Sequence, residues 1–411
     1  MLSLNAPTII KGSVLLPASK SLANRQLLLQ AAQGLPLSAP QHDEPKDVQI
    51  MRQALQLAAE KTTAEINVGP AGTAMRFLCA YLSTKKGEWL LTGSERMQHR
   101  PIALLVEALR TIGADIQYLN QEGFPPLLIK GKTLLSKNLQ ISSDFSSQYI
   151  SALLLMAPFI DKGLELELTG TPVSEPYIKM SLEVLRQAGA IITTSGTLIK
   201  VEEGLHASPE RPAIEADWTA ASYYFSICAL SAGSEILLKG LRKNSLQGDA
   251  LLPDIFSQLG VTAQFTGDGL FIRHIGSPIA HFTYNCIDCP DLAQTLALTC
   301  AGLGISARLT GLSTLRIKET DRLLAVDIEL SKCGLRIKRG PDFIEMDAQK
   351  ALVFPQAIET YSDHRMAMAF APLSIVLPGL LIKDEQVVGK SYPAFWEHLI
   401  SLGFNVNLQP H

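Results

Sequence analysis

GTAMRFLCAYL (72–82), SSQYISALLLMA (146–157), DWTAASYYFSICAL (217–230), PDLAQTLALTCAGL (290–303) and DHRMAMAFAPLSI (363–375) share one plan. In each, a short polar cluster opens straight into an apolar, small-residue-rich segment of helical length. Counted from Thr73, Ser147, Thr219, Asp291 and His364, the steps are 74, 72, 72 and 73 residues. That regularity predicts an internal repeat longer than the periods of solenoids and propellers. SKSLANRQLLLQAA (19–32) is a sixth helix start, about 52 residues before the next. Between the starts lie alternating or β-branched runs such as LELELTGTPV and GTLIKVEE, and amphipathic runs such as ALLVEALRTIGA and SLEVLRQAGA that end near glycine. Each unit is therefore expected to hold strands plus two helices, and six units divide into two domains of three. The fold class expected is α/β (α+β), with all-round apolar helices buried in sheet and their N-termini on a common surface.

Length and composition agree with this plan. A chain of 411 residues exceeds one ordinary domain, and 47% hydrophobic against 18% charged residues leaves ample material for packed cores. With 36 basic and 39 acidic residues the net charge is -3, which argues against a broad nucleic-acid or anionic-membrane footprint. Any anion must be held by local clusters. The six cysteines are scattered as expected of reduced thiols, and Cys286 with Cys289 has no second pair at zinc-like spacing, so no metal site is expected. The N-terminus lacks the pattern of a signal or transit peptide and no apolar run reaches membrane-spanning length, so the expectation is a cytoplasmic protein with no membrane partner.

Ser, Thr and Asp at the helix starts are what capping alone demands. Capping does not explain Arg25, Arg76 and Arg365, read here as first-turn residues, where the helix dipole disfavours positive charge. A helix N-terminus is a ready anion site. Lys20, Arg25, Arg76, Arg100, Lys318, Arg322, Arg365 and Lys390 lie near these starts or in nearby loops, and arginine forks suit carboxylates and phosphates. So many cations call for a ligand set with several negative charges. Among them stand the acids Asp291, Glu319 and Asp321. Two readings are open for these: an ion-pair network that orders the site, or proton transfer by a base and an acid.

Taken together, SKSLANR, GPAGTAMR, SERMQHRPI, DFSSQYISALL, PVSEPYI, DCPDLAQT, LRIKETDRL, SDHRMAMAF and GKSYPAFW resemble the 5-enolpyruvylshikimate-3-phosphate synthases, from Ser19 to Trp396 and in that family's order. The resemblance implies two similar domains, each of three βαβαββ units, closing as a clamp with the active site in the interdomain cleft. One domain would run over 19–215; the other would combine 1–18 with 216–411. It implies transfer of the enolpyruvyl group of phosphoenolpyruvate to shikimate 3-phosphate, with no cofactor, by a monomer. By position, Lys20, Ser21, Arg25, Ser146, Ser147, Gln148, Ser174, Asp291 and Lys318 would contact shikimate 3-phosphate. Lys20, Gly72, Arg100, Gln148, Arg322, Arg365 and Lys390 would hold phosphoenolpyruvate. Asp291 would be the proton acceptor and Glu319 the donor, with Lys20 and Lys390 beside them. Glyphosate would compete with phosphoenolpyruvate, since Gly72 leaves room for it. Three positions depart from the family's pattern: Pro70 in place of Asn, Thr314 in place of Asn, and Phe77 in place of Pro. The sister family acting on UDP-N-acetylglucosamine carries a reactive loop cysteine, and the stretch Ser94 to Arg100 has none.

Overall fold

The computed structural model describes residues 1–40, 43–135, 137–206, 213–349, 351–355 and 357–408. The chain divides into two compact units, one of Lys20–His42 and Lys46–Ile214, the other of Met1–Ser19, Asp43–Pro45 and Glu215–His411.

In the first unit, strands Thr63–Asn67, Gly87–Thr92, Leu127–Gly131 and Asp115–Tyr118 form one sheet in that spatial order. In chain order this is first, second, fourth, third. The first two strands are parallel, Thr63 facing Glu88, because helix Gly72–Thr84 crosses between them; the rest pair antiparallel. Trp89, Leu91, Leu127 and Ile129 alternate onto the covered face and are fully buried. Strand Leu127–Gly131 must end in glycine, since a Cβ on Gly131 would stand 1.8 Å from the Lys85 carbonyl oxygen. The same order recurs in Asn138–Ser142, Leu164–Thr169, Leu198–Val201 and Ile192–Ser195. Helices Lys20–Ala32, Gly72–Thr84 and Ser147–Met156 pack on one another. All but two of the thirteen residues of Gly72–Thr84 are buried, which explains why its sequence is apolar all round.

The second unit repeats the order twice more: Lys11–Leu15, Glu235–Lys239, Gly269–His274, Val261–Thr266; and His281–Asn285, Ser306–Thr310, Ile344–Met346, Ile337–Arg339. Its third sheet places Leu2–Asn5 between Leu380–Ile382 and Asn405–Leu408, antiparallel to both, and Ile358 bridges to Ile382 in parallel where a first strand would lie. Helices Trp218–Leu230, Ala293–Leu303 and His364–Phe370 form its buried layer. The repeat spacing shows in their packing: Ser222 bonds to Thr295 at 3.1 Å and Thr299 to Ser226 at 2.8 Å, both pairs 73 residues apart.

Mixed α/β structure in several small sheets is as expected. The copy that starts at Lys20 has helices Lys20–Ala32 and Lys46–Glu60 and, among the described residues, no strand before Thr63 in the first unit. The three arginines also sit differently from the sequence reading. Only Arg365, second residue of its helix, lies in a first turn; Arg76 is fifth and Arg25 sixth, because their helices begin at Gly72 and Lys20. At 3.6 residues per turn both fall in the second turn, where the dipole argument has little force.

Candidate active site

In the first unit, the Arg25 guanidinium is 2% exposed and anchored on all sides. Its Nε donates to Ser181 Oγ at 2.8 Å, Nη1 to the Ser21 carbonyl at 2.9 Å, and Nη2 to Ser151 Oγ and the Tyr177 carbonyl at 3.1 Å each. The Phe77 ring lies 5.3 Å from its Cζ, so the phenylalanine at that unusual position packs on a cation. Burial pulls the Arg25 pKa down to about 10, with Tyr177 acting weakly in opposition, and the group stays charged at neutral pH. Four of five donors are taken, leaving Arg25 one N–H for a ligand.

Arg76 is a structural brace. Its Nη2 donates to the Pro101 carbonyl at 2.9 Å and Nη1 to the Gly72 carbonyl at 3.3 Å, tying the helix start to the loop that carries Arg100. Burial lowers it to about 10, helped by the nearby Arg100 charge. Arg100 is 7% exposed, its Nε has no hydrogen-bond partner, and its fork lies against Gly72: a Cβ there would be 2.6 Å from Nη1. At the N-cap of this helix, Ala71 supplies no side-chain cap. A desolvated arginine beside an uncapped helix start has the chemistry to hold a carboxylate or phosphate.

Ser146 caps the next helix, accepting from Gln148 N at 3.3 Å, while Gln148 Nε2 reaches Thr73 Oγ1 at 3.3 Å and so joins two repeat starts. Ser147 is buried beside them, and Ser174, also buried, sits at φ 57° ahead of helix Glu175–Gln187 without capping it. Lys20 donates to Asp47 Oδ2 at 3.1 Å. Asp47 was not singled out in the sequence; its only local signal is its place in the first turn of helix Lys46–Glu60, which capping statistics explain equally well. Ser151, Ser181 and Tyr177, which also bond Arg25, were missed because a serine or tyrosine on a helix gives no local sign of a partner 126 to 156 residues away.

The second unit gathers Asp291, Glu319, Arg322, Asp363, Arg365 and Lys390. Arg322, 2% exposed, donates Nε to Asp363 Oδ2 at 2.7 Å, Nη1 to Asp291 Oδ1 at 3.0 Å and Nη2 to Glu319 Oε2 at 3.1 Å. Arg365 Nη2 donates to Asp291 Oδ2 at 2.7 Å, and Lys390 Nζ donates to Glu319 Oε1. Burial alone would lower Arg322; the carboxylates of Asp363, Glu319 and Asp291 more than reverse this and hold it above the ordinary arginine value. Asp363 is the residue the sequence reading undervalued: wholly buried, it caps its helix through Arg365 N at 2.9 Å and also grips Arg322. Asp321 caps helix Arg322–Lys332 and takes no part in the network. Lys318 lies half-buried just before Glu319, and Thr314 Oγ1 is buried without a partner. Behind Asp291, Asp249 accepts from Thr219; burial and the Asp291 charge push its carboxyl up to about 7.

All six cysteines are buried free thiols, and the Cys289 thiol is raised by a hydrogen bond with Cys286 and by burial. Among the described residues no group of three or more His, Cys, Asp or Glu could hold a metal ion, and no helix is long and apolar enough to cross a membrane.

Repeated strand–helix units with buried arginines and interleaved carboxylates near their helix starts are an arrangement suited to polyanionic small molecules. The profile of the family described as EPSP synthase (3-phosphoshikimate 1-carboxyvinyltransferase) matches residues 29–399. The 3-phosphoshikimate 1-carboxyvinyltransferase of Bacteroides fragilis is 42% identical over 98% of both chains, and that of Vibrio cholerae 34% identical over 98% of this chain and 99% of its own. The EPSP synthase of Acinetobacter baumannii has the same fold, with a TM-score of 0.77 at 22% identity over 99% of each chain. The chain belongs to the EPSP synthase family.

Proposed function

We propose that this protein transfers the enolpyruvyl group of phosphoenolpyruvate to the 5-hydroxyl of shikimate 3-phosphate and releases phosphate, a step of the shikimate pathway toward chorismate and aromatic amino acids. The observation that carries the reading is the joining of Asp291, Glu319, Arg322, Arg365 and Lys390, residues 99 apart at the extremes, into one hydrogen-bonded network in a chain of this family.

In this reading Ser146, Ser147, Ser174, Gln148 and Lys318 hold the phosphate of shikimate 3-phosphate, while Ser21 and Arg25 contact its ring. Arg100, Arg322, Arg365 and Lys390, with Lys20, Gly72 and Gln148, take the carboxylate and phosphate of phosphoenolpyruvate. Glu319, loaded through Lys390 or acting with it, protonates the methylene carbon, making the neighbouring carbon electrophilic. The 5-hydroxyl attacks as Asp291 accepts its proton, forming a tetrahedral ketal phosphate. In the elimination the new methyl group gives a proton back to the Glu319 carboxylate as the carbon–oxygen bond to phosphate breaks, with the arginines balancing charge on the leaving group. The arginines that now bond Asp291 fix its orientation before the hydroxyl arrives, which joins the two sequence readings: one network both orders the site and moves protons. The chemistry calls for no metal or organic cofactor. The protein acts in the cytoplasm as a monomer on these small molecules, with no nucleic-acid or membrane partner.

Product analysis tests this. Incubating the protein with both substrates should give a new vinyl ether in the proton spectrum, and Asp291→Asn should slow its formation by about 100-fold or more. Loss of phosphoenolpyruvate without that ether, or an Asp291→Asn variant of undiminished rate, would refute the assignment of reaction or of base respectively.

A further inference from the structure

The segment that delivers Asp363 and Arg365 to the network is held in an unfavourable shape. Tyr361 and Ser362 have φ of 53° and 55°, two consecutive non-glycine residues in the left-handed region immediately before Asp363. Such residues persist only where their surroundings hold them. One buried carboxylate is placed to do so. Glu329, with no exposed surface, lies in the last turn of helix Arg322–Lys332. Its Oε1 accepts from the Tyr361 hydroxyl at 2.6 Å; its Oε2 accepts from Glu359 N at 3.1 Å and from Lys332 Nζ at 2.7 Å.

The first residue of that same helix is Arg322, which grips Asp363. Segment 359–363 is thus stapled to one helix at two places seven residues apart, about 10 Å along its axis. Nothing in the proton chemistry needs Glu329 or Tyr361, and neither bonds to Asp291 or Glu319. Burying a carboxylate is unfavourable unless each oxygen is satisfied; here Lys332 and Glu359 N serve Oε2, while Oε1 takes its bond from Tyr361 in the left-handed turn.

We propose that Glu329 and Tyr361 are positioning residues for the enolpyruvyl donor: their bond sets the left-handed turn at Tyr361–Ser362 and so fixes where Asp363 and Arg365 meet Arg322 and Asp291. Only the choice of phosphoenolpyruvate as the affected substrate rests on the function proposed above. A simple packing role would lower stability without regard to substrate. A positioning role separates the two substrates.

Tyr361→Phe removes one hydroxyl and keeps the ring; Glu329→Gln keeps the shape and loses the charge. For both, the KM for phosphoenolpyruvate should rise about tenfold, the worth of one hydrogen bond to a charged group, and by clearly more than the KM for shikimate 3-phosphate, of whose contacts this segment reaches Asp291 alone. Ser362→Gly added to Tyr361→Phe should recover most of that loss, because glycine takes a positive φ without a Cβ penalty. Equal changes in both KM values, or no rescue, would reduce the pair to packing and overturn the proposal. A crystal structure of Tyr361→Phe decides it independently of turnover. Retention of both positive φ angles and of the Arg365–Asp291 and Arg322–Asp363 bonds would also overturn it, whereas an inactive wild type would count against the reaction and leave this structural comparison in force.

Discussion

At the scale of single residues, two positions carry consequences that chemistry alone would not reveal. Gly72 has no room for a side chain: a methyl there meets Arg100 Nη1 at 2.6 Å and Nη2 at 3.0 Å. Gly72→Ala should displace that fork and raise the KM for phosphoenolpyruvate by about tenfold, the cost of weakening one charge-assisted contact, and weaken competition by glyphosate as well. Steady-state kinetics with a glyphosate dose series checks both; unchanged constants would mean Arg100 does not touch the donor. Asp249 makes a pH signature. Below about pH 4 its carboxyl is neutral folded or unfolded, while from there to about 7 only the unfolded chain ionises it. Stability from this group therefore falls as pH rises through that window and is level above it. Asp249→Asn should flatten the decline of the thermal midpoint between about pH 4 and about 7, and an unchanged pH slope there would contradict the burial argument. Legibility at this scale followed charge in unusual places. Arg322, Asp291 and Glu319 stood out from their motifs, whereas Asp47 and Glu329 were hidden because an acid in an early or late helical turn is commonplace until its partner, 27 or 32 residues away in sequence, is known.

At the scale of elements, each polar cluster opens or leads into a helix, and several carry side-chain caps: Asp217 accepts from Ala220 N, Asp321 from Leu324 N, Asp363 from Arg365 N. Helix Arg322–Lys332 matters most, since it carries Arg322 at one end and Glu329 at the other. Asp321→Ala should lower stability by ~1 kcal/mol in urea titration, the usual value of a lost N-cap; no loss would show that the Arg322 network alone holds the helix start. The helices were legible because an all-round apolar, small-residue run has few other fates than burial. The strand count was less so. The same helix-start pattern appears at Lys20 as elsewhere, and a pattern of helix starts says nothing about whether strands accompany it.

At the scale of the whole molecule, the second unit is built from both chain ends. Strand Leu2–Asn5 is the central strand of one sheet, and Lys11–Leu15 pairs in parallel with Glu235–Lys239 in another. Deleting residues 1–16 should therefore prevent that unit from folding, seen as loss of a cooperative unfolding transition; a stable truncated protein would mean these strands are dispensable. Residue patterns alone did not place those strands with the distant half of the chain. That came from the family resemblance, because pairing across more than two hundred residues leaves no local trace. The reaction itself is most directly tested by phosphate release from the purified protein. Release that requires shikimate 3-phosphate and phosphoenolpyruvate together, and is absent with either alone, is the expected result; release from phosphoenolpyruvate alone, or none with both, would contradict enolpyruvyl transfer as the function of this site.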